Sequence, residues 1–230
     1  MRSIGGRAAS LLIGLATAIV IVTVAIVPFL TPAWVAFEQD RAQADAWTGF
    51  TTAEVRTATD SILADLVLGG DFAVQQHAQP VLNDRERAHM IDVRTVFRGL
   101  WILAIISLVI LVIAGRREET ARTWRAVRRG ALGLTVGVVI AGVVGLVAFD
   151  QLFEVFHEVF FPAGSYLFDP ATDRLVQLFP FQFWQETAMV VAAVIVAASL
   201  AVAVLGGRRA GRSGATAAAN DLAVVAEPGS

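Results

Sequence analysis

The segment "LWILAIISLVILVIAGRREETARTWRAVRRGALGLTVGVVIAGVVGLVAF", from Leu100 to Phe149, contains two apolar runs joined by an arginine-rich connection. Each run has roughly the 20 residues that a helix needs to cross a bilayer. The whole chain of 230 residues is 56% hydrophobic and 17% charged, with a mean hydropathy of +0.66. An ordinary soluble domain is about 25% charged. The composition therefore indicates an integral membrane protein.

Four apolar runs have the length of a membrane span, and they cover residues 8–30, 97–114, 130–149 and 187–205. The first run follows Arg2 and Arg7, as the core of a signal peptide would. However, it is longer than the ~7–15 apolar residues of such a core, so we expect an uncleaved helix. The predicted fold class is all-α, a four-helix transmembrane bundle that forms a single domain over residues 1–205. The small, polar tail at residues 206–230 is expected to be disordered.

The arginines predict the orientation in the membrane. Six of them lie in the connection between the second and third spans, two precede the first span, and three open the tail after the fourth. Positively charged loops stay on the cytoplasmic side, so both termini are predicted to be cytoplasmic. The loops at residues 31–96 and 150–186 then face outward, and their apolar spacing predicts helical segments in both.

The composition also excludes several kinds of function. The formal charge is −2 and no basic patch alternates with aromatic residues, so no nucleic-acid partner is predicted. The chain has no cysteine, which excludes disulfides, thiolate metal sites and a cysteine acyl-enzyme. No phosphate-binding loop, GxSxG or HExxH motif is present. We expect neither a cofactor nor a bound metal.

Two of the three histidines, His89 and His157, lie near the outer ends of predicted spans. Asp92 follows His89 by three residues and Glu154 precedes His157 by three, which places each pair on one helix face. Ionisable groups close to the bilayer interior are costly and tend to mark function. One reading is a shared proton-transfer site, in which a carboxylate orients a ring. The other is two separate interfacial residues. His77, in a polar loop, is expected to be exposed.

The first reading requires the two rings to lie close together, since acid–base partners must be within reach of a hydrogen bond or of one bridging water. Rings more than about 10 Å apart with no bridging cavity would argue against one site. A metal site made of two histidines and a carboxylate is a further alternative, which the spacing favours less. After His157, Pro162 and Gly164 are predicted to end the helix, and Asp169 and Asp173 to shape the turn that follows.

Two motifs carry a resemblance to a known family. They are "HMIDV" at His89–Val93, before the second span, and "FHEVFFPAGSYLFDPATDRLVQLFPFQFW" at Phe156–Trp184. Over roughly residues 8–205 the chain resembles the Lit-type lipoprotein intramolecular transacylases, small bacterial membrane proteins with four spans and outward-facing active sites. Tyr166 stands where that family more often has tryptophan.

The resemblance implies transfer of the sn-2 acyl chain of a diacylglyceryl lipoprotein to the α-amino group of its own N-terminal cysteine, which gives a lyso-form lipoprotein. The implied partners are membrane lipid and diacylated lipoprotein N-termini, in the cytoplasmic membrane of a bacterium. His157 would act as general base, and His89 would support the oxyanion or shuttle the proton. Asp92, Glu154 and Asp173 are expected to support the pair. The alternative is a non-enzymatic membrane protein that binds lipid or assembles a membrane complex.

Overall fold

A computed structural model describes residues 2–116 and 121–226. Its helices are α1 (Arg2–Ile26), α2 (Pro32–Arg41), α3 (Ala44–Thr48), α4 (Thr52–Ala64), α5 (Asp84–Arg116), α6 (Ala121–Phe160), α7 (Arg174–Leu178) and α8 (Phe181–Ala226). A 3₁₀ turn at Val27–Leu30 follows α1, and a π turn at Asp65–Gly69 follows α4. Two short antiparallel strands, β1 (Gln75–Gln76) and β2 (Gln79–Pro80), form a hairpin before α5.

Four helical stretches in the described residues are long and apolar enough to cross a membrane. They are Gly6–Leu30, Asp84–Arg116, Ala121–Phe160 and Phe181–Ala215. Each contains one of the four predicted spans, so the all-α class and the number of spans are confirmed. α6 departs from helical geometry at Ala148, where φ is −143° and ψ is 40°. This kink lies at the predicted end of the third span.

The chain divides into two compact units, where the sequence predicted one domain over residues 1–205. The first unit comprises the chain up to Ala25, Trp101–Ile140, and the chain from Ala193 onward. The second comprises Ile26–Leu100 and Ala141–Ala192. The physical reason for the division is that the second unit has a hydrophobic core of its own.

The first unit contains a very close helix–helix approach between two glycines. A methyl group placed on Gly130 of α6 would overlap with the backbone of Gly14 of α1. Small residues permit such approaches, and in lipid they are a principal basis of helix association. At Gly206 of α8, a methyl group would lie 3.2 Å from the carbonyl oxygen of Trp124. Around Gly133, by contrast, there is open space.

The segment after residue 205, expected to be disordered, is helical as far as Ala226 because α8 continues through it. Its sequence is rich in alanine, a strong helix former, and has no proline before Pro228, although four glycines at positions 206, 207, 211 and 214 weaken the helix. The guanidinium of Arg209 lies 5.4 Å from the centre of the Trp124 ring, a cation–π contact that fastens this part of α8 to α6. Residues 227–230 lie outside the described residues.

The second unit has the kind of core found in a water-soluble domain. Val35 of α2, Ile62 of α4, Leu178 of α7 and the loop residue Phe72 are all almost completely buried in it. Helix α4 begins with a capping box, in which Thr51 and Glu54 bond to each other's backbone N–H groups at 3.3 and 2.8 Å. The predicted helical segments of the loop at residues 31–96 are therefore confirmed, and they pack into this core.

Helix α5 begins with a second reciprocal cap. The side chain of Asn83 accepts a hydrogen bond from the backbone N–H of Glu86 at 3.0 Å, and the Glu86 carboxylate accepts one from the N–H of Asn83 at 2.7 Å. The other oxygen of Glu86 accepts from the N–H of Leu175, in α7, at 2.6 Å. Glu86 thus joins the first turn of α5 to the segment that follows α6.

Replacing Gly130 by alanine should destabilise the protein, because the added methyl group would force α1 and α6 apart. Overpacking of this kind typically costs about 1–3 kcal/mol. We expect a lower midpoint of thermal unfolding in detergent than for the wild type. The matched control is Gly133→Ala, which makes the same change one helical turn away in open space. Equal midpoints for the two variants would contradict the close approach.

Candidate active site

The structure brings together the two histidines that the sequence singled out. The ring centres of His89, on α5, and His157, on α6, are 6.1 Å apart, and the ring planes are inclined by 22°, so the rings are stacked. This distance is well below the limit of about 10 Å set for a single site. The pair lies within the second unit.

A backbone hydrogen bond fixes the tautomer of His157. Its Nδ1 lies 2.7 Å from the carbonyl oxygen of Phe153, one turn earlier in α6. A carbonyl oxygen can only accept a hydrogen bond, so Nδ1 carries the proton in this contact. In a neutral ring Nε2 then has a free lone pair. His157 is therefore arranged to accept a proton at Nε2.

His89 is almost completely buried among aromatic rings. Only 6% of its surface is exposed, and its Nδ1 has no hydrogen-bond partner among the described residues. The centres of the Phe161 and Phe168 rings lie 4.7 and 5.4 Å from its own. Buried polar atoms are seldom left without a partner. The unpaired nitrogen therefore makes His89 a candidate functional residue.

Aromatic rings also enclose His157. The ring centres of Phe153, Phe161 and Tyr166 lie at 4.3, 5.4 and 5.0 Å from that of His157. Burial, together with the nearby carboxylates of Glu158 and Glu154, raises the pKa of Tyr166. Its phenol therefore keeps its proton at neutral pH. We call the three phenylalanines Phe153, Phe161 and Phe168, together with Tyr166, the aromatic cage.

The two carboxylates expected to orient the histidines do not bond to them. Within the described residues, no hydrogen bond or ion pair joins Asp92 or Glu154 to either ring. Glu154 is exposed and Asp92 is partly exposed. The rings contact instead the Phe153 carbonyl and the aromatic cage.

Asp173, in contrast, is buried, and both of its carboxylate oxygens accept hydrogen bonds. Its side chain is 6% exposed and accepts three hydrogen bonds, from Asn83 Nδ2 at 3.1 Å, Arg85 Nη2 at 2.7 Å and the backbone N–H of Asp169 at 2.7 Å. It therefore fixes the turn after α6 to the start of α5. These bonds agree with the predicted role of Asp173 in shaping the turn, and its support of the site stays a prediction.

Asp173 is connected to His89 through two intermediate residues. It holds Arg85, whose guanidinium carbon lies 5.0 Å from the centre of the Phe168 ring. Phe168 in turn packs edge-on against His89. Neither Arg85 nor Phe168 was identified as a site residue from the sequence. The available signals were that Arg85 precedes His89 by one helical turn, and that Phe168 belongs to the same motif as Asp173.

The described residues contain no group of three histidine, aspartate or glutamate side chains placed to hold a metal ion. His77, the third histidine, is exposed as predicted and pairs with Glu54, whose Oε1 lies 2.7 Å from its Nε2.

Replacing Asp173 by asparagine should destabilise the second unit. Both carboxylate oxygens accept hydrogen bonds, so the amide nitrogen of asparagine would have to face a donor, and the ion pair with Arg85 would be lost. Hydrogen bonds to charged groups contribute roughly 1.5–3 kcal/mol. Thermal unfolding in detergent should show a clear drop in the midpoint for Asp173→Asn. The same change at Asp92, which is partly exposed, should have little effect, and equal effects would contradict the role given to Asp173.

Comparison with known proteins identifies the family of the chain. A family model described as lipoprotein intramolecular transacylase Lit matches residues 10–184. The membrane integral lipoprotein intramolecular transacylase Lit from Bacillus cereus has a similar fold, with a TM-score of 0.76 at 20% identity, covering 90% of this chain and 96% of that one. A variant of it with one histidine replaced by arginine gives a TM-score of 0.73 at 17% identity, with coverage of 92% and 94%.

A curated relative, an uncharacterized protein from Aquifex aeolicus (strain VF5), is 28% identical over 120 residues. This match spans 51% of this chain and 52% of the relative, about half the length of each. At the identities of the solved structures, their likeness shows the fold alone. The family model, however, covers most of the chain, including both histidines and the motif that follows α6. The chain therefore belongs to the Lit family of lipoprotein intramolecular transacylases.

Proposed function

We propose that this protein transfers the sn-2 acyl chain of a diacylglyceryl lipoprotein to the α-amino group of that lipoprotein's own N-terminal cysteine. The observation that carries the proposal is the stacked pair of His89 and His157, 6.1 Å apart inside the aromatic cage, in a chain of the Lit family. The product is a lyso-form lipoprotein, with an N-acyl amide and a free sn-2 hydroxyl group.

The proposed reaction needs a base at the amine and an acid at the leaving oxygen. The cysteine nitrogen attacks the ester carbonyl carbon while Nε2 of His157 takes a proton from that nitrogen. The tetrahedral intermediate then collapses, the bond between the carbonyl carbon and the sn-2 oxygen breaks, and the proton is returned to this oxygen. The reaction consumes no water and leaves the enzyme unchanged. The Phe153 carbonyl supports this assignment because it holds the proton on Nδ1.

His89 supplies the second function in this scheme. Its buried ring stacks on His157, so it either donates a hydrogen bond to the developing oxyanion or relays the proton between nitrogen and oxygen. A donor placed at an oxyanion in surroundings that exclude water contributes more than the same donor in water. The packing of His89 against Phe161 and Phe168 provides such surroundings.

The chemistry also explains why no enzyme nucleophile is needed. The attacking amine and the ester belong to the same substrate molecule, so the reaction gains from proximity without a covalent intermediate on the protein. The competing reaction is hydrolysis of the ester. The aromatic cage opposes it by restricting access of water to the two rings.

We further propose that the site faces outward from the cytoplasmic membrane and that both termini are cytoplasmic. His89 lies near the first residue of α5 and His157 near the last residue of α6, the ends of these helices remote from the arginine-rich connection. The positive charge of that connection favours the cytoplasmic side. In this orientation the substrate partners would be membrane lipid and the diacylated N-termini of lipoproteins.

Replacing His157 by alanine should lower the formation of lyso-form lipoprotein about 10²-fold or more, as expected for loss of a general base. The measurement is mass spectrometry of lipoprotein N-termini from a bacterial strain that has no other route of lipoprotein N-acylation. Wild-type protein should give lyso-form product, and His89→Ala should also be impaired.

The matched control is His77→Ala, which removes an exposed histidine outside the site and should leave the activity unchanged. Diacylated lipoprotein with a free amine as the sole product of the wild type would overturn the proposal. Lyso-form product that persists in His157→Ala would overturn the role of that residue. A phenotype that survives replacement of both His89 and His157 would instead support the non-enzymatic alternative.

A further inference from the structure

The second unit contains a groove that the two histidines do not line. It has a volume of about 660 Å³ and is bordered by α2, α6 and α8. One part of its wall is apolar, with Trp34 and Phe37 from α2, Leu146 from α6 and Val190 from α8. The other part carries the charged side chains of α2 and α8, so the groove is amphiphilic.

A buried carboxyl group at the polar end lacks a donor other than a neighbouring carboxyl group. Glu38 is 2% exposed, and no N–H or hydroxyl group of the described residues donates to its Oε2. The Nε atom of Arg41 lies 3.9 Å from this oxygen, too far for a hydrogen bond. Two carboxyl groups that must share one proton leave this oxygen poorly satisfied, so the site is complementary to a ligand that carries a cationic donor.

The adjacent cation is held by a different carboxylate. Arg41 Nε donates to Glu186 Oε2 at 2.6 Å, and the second oxygen of Glu186 accepts from Gln182 at 2.7 Å. Both ion pairs of Arg41 use Nε, and its side chain is 52% exposed. Its two terminal nitrogens are therefore directed to solvent or to a ligand, and a guanidinium edge of this kind suits a phosphate.

Burial is the first cause that raises the pKa of Glu38, followed by the neighbouring carboxylate of Glu186 and a side-chain hydrogen bond with it. All three favour a protonated Glu38 that shares its proton with Glu186. A cation beside Oε2 of Glu38 would replace this proton, since an opposite charge within about 4–6 Å favours the charged form of a carboxyl group. The polar end thus combines a position for a cation at Glu38 with a position for an anion at Arg41.

The apolar wall fits the remainder of such a ligand. Phe37, Leu146 and Val190 are exposed apolar side chains, and the last two belong to helices long enough to cross a membrane. Trp34 is fixed in place because its Nε1 donates to Thr187 Oγ1 at 3.3 Å. An acyl chain could lie along this wall while the headgroup reaches Glu38 and Arg41.

We propose that this groove binds a phospholipid whose headgroup carries both a phosphate and a primary ammonium group. The ammonium donates to Glu38 Oε2, the phosphate accepts from the terminal nitrogens of Arg41, and an acyl chain packs along Leu146 and Val190. The proposal is independent of the acyl-transfer reaction, since neither His89 nor His157 belongs to the groove.

Native mass spectrometry of the delipidated, full-length protein provides the test. The protein is titrated separately with phosphatidylethanolamine, phosphatidylcholine and phosphatidylglycerol of identical acyl chains. Phosphatidylcholine keeps the charges of phosphatidylethanolamine but has no N–H donor, and phosphatidylglycerol has hydroxyl donors without a cation. We expect preferential binding of phosphatidylethanolamine.

Two variants locate the binding. Glu38→Gln removes the charge while keeping the size of the side chain, and it should weaken phosphatidylethanolamine binding about tenfold, the factor that corresponds to one charge-assisted hydrogen bond. Val190→Trp fills the apolar part from an exposed position, so it should reduce binding without lowering thermal stability. Glu154→Gln, an exposed carboxylate outside the groove, is the matched control and should bind like the wild type.

Equal binding of phosphatidylethanolamine and phosphatidylcholine would overturn the proposal, because a hydrogen bond from the ammonium group to Glu38 would then contribute nothing. A preference for phosphatidylglycerol would overturn it in favour of a groove for anionic lipid. Wild-type affinity in both Glu38→Gln and Val190→Trp would show that the lipid binds elsewhere.

Discussion

The arrangement of the candidate site depends on one buried carboxylate, that of Glu86. Only 1% of this residue is exposed, and its two oxygens accept backbone N–H groups at the start of α5 and at the start of α7. A buried carboxylate is tolerated when such donors satisfy it, and breaking the arrangement would leave a charge unpaired. Because Glu86 lies one turn before His89, the same bonds that hold α7 against α5 also bring the preceding loop over the His89 ring. That loop carries Phe161, Phe168 and Asp173.

Much of this architecture follows from the sequence. The lengths of the apolar runs are enough to predict four spans, since the bilayer fixes the length of a helix that crosses it. Pro162 and Gly164 end α6 as predicted, and the last helical residue is Phe160. The proximity of His89 and His157 was expected on weaker grounds. The start of α5 and the end of α6 need not lie close together in a bundle. The loop that Glu86 holds against α5 brings them together.

Other features depend on information that spacing along one helix does not contain. Helical spacing places Asp92 near His89 and Glu154 near His157, but it does not specify which partner a ring will select. His157 bonds to the Phe153 carbonyl, which is available at every position of a helix and leaves no mark in the sequence. Likewise, α6 contains several glycines, and their pattern alone does not show that Gly130 is the one facing Gly14.

The aromatic residues after α6 surround the two histidines. Rings that pack at 4.7–5.4 Å around His89 and His157 fill the space that water would otherwise occupy. An acyl ester lies at the depth of the lipid headgroups, where water competes with an amine for the carbonyl carbon. A site made of two imidazoles inside an apolar cage, with one proton position fixed by a backbone carbonyl, meets both requirements of the proposed transfer. In the proposed reaction the histidines move the proton, and the cage limits the access of water to the ester.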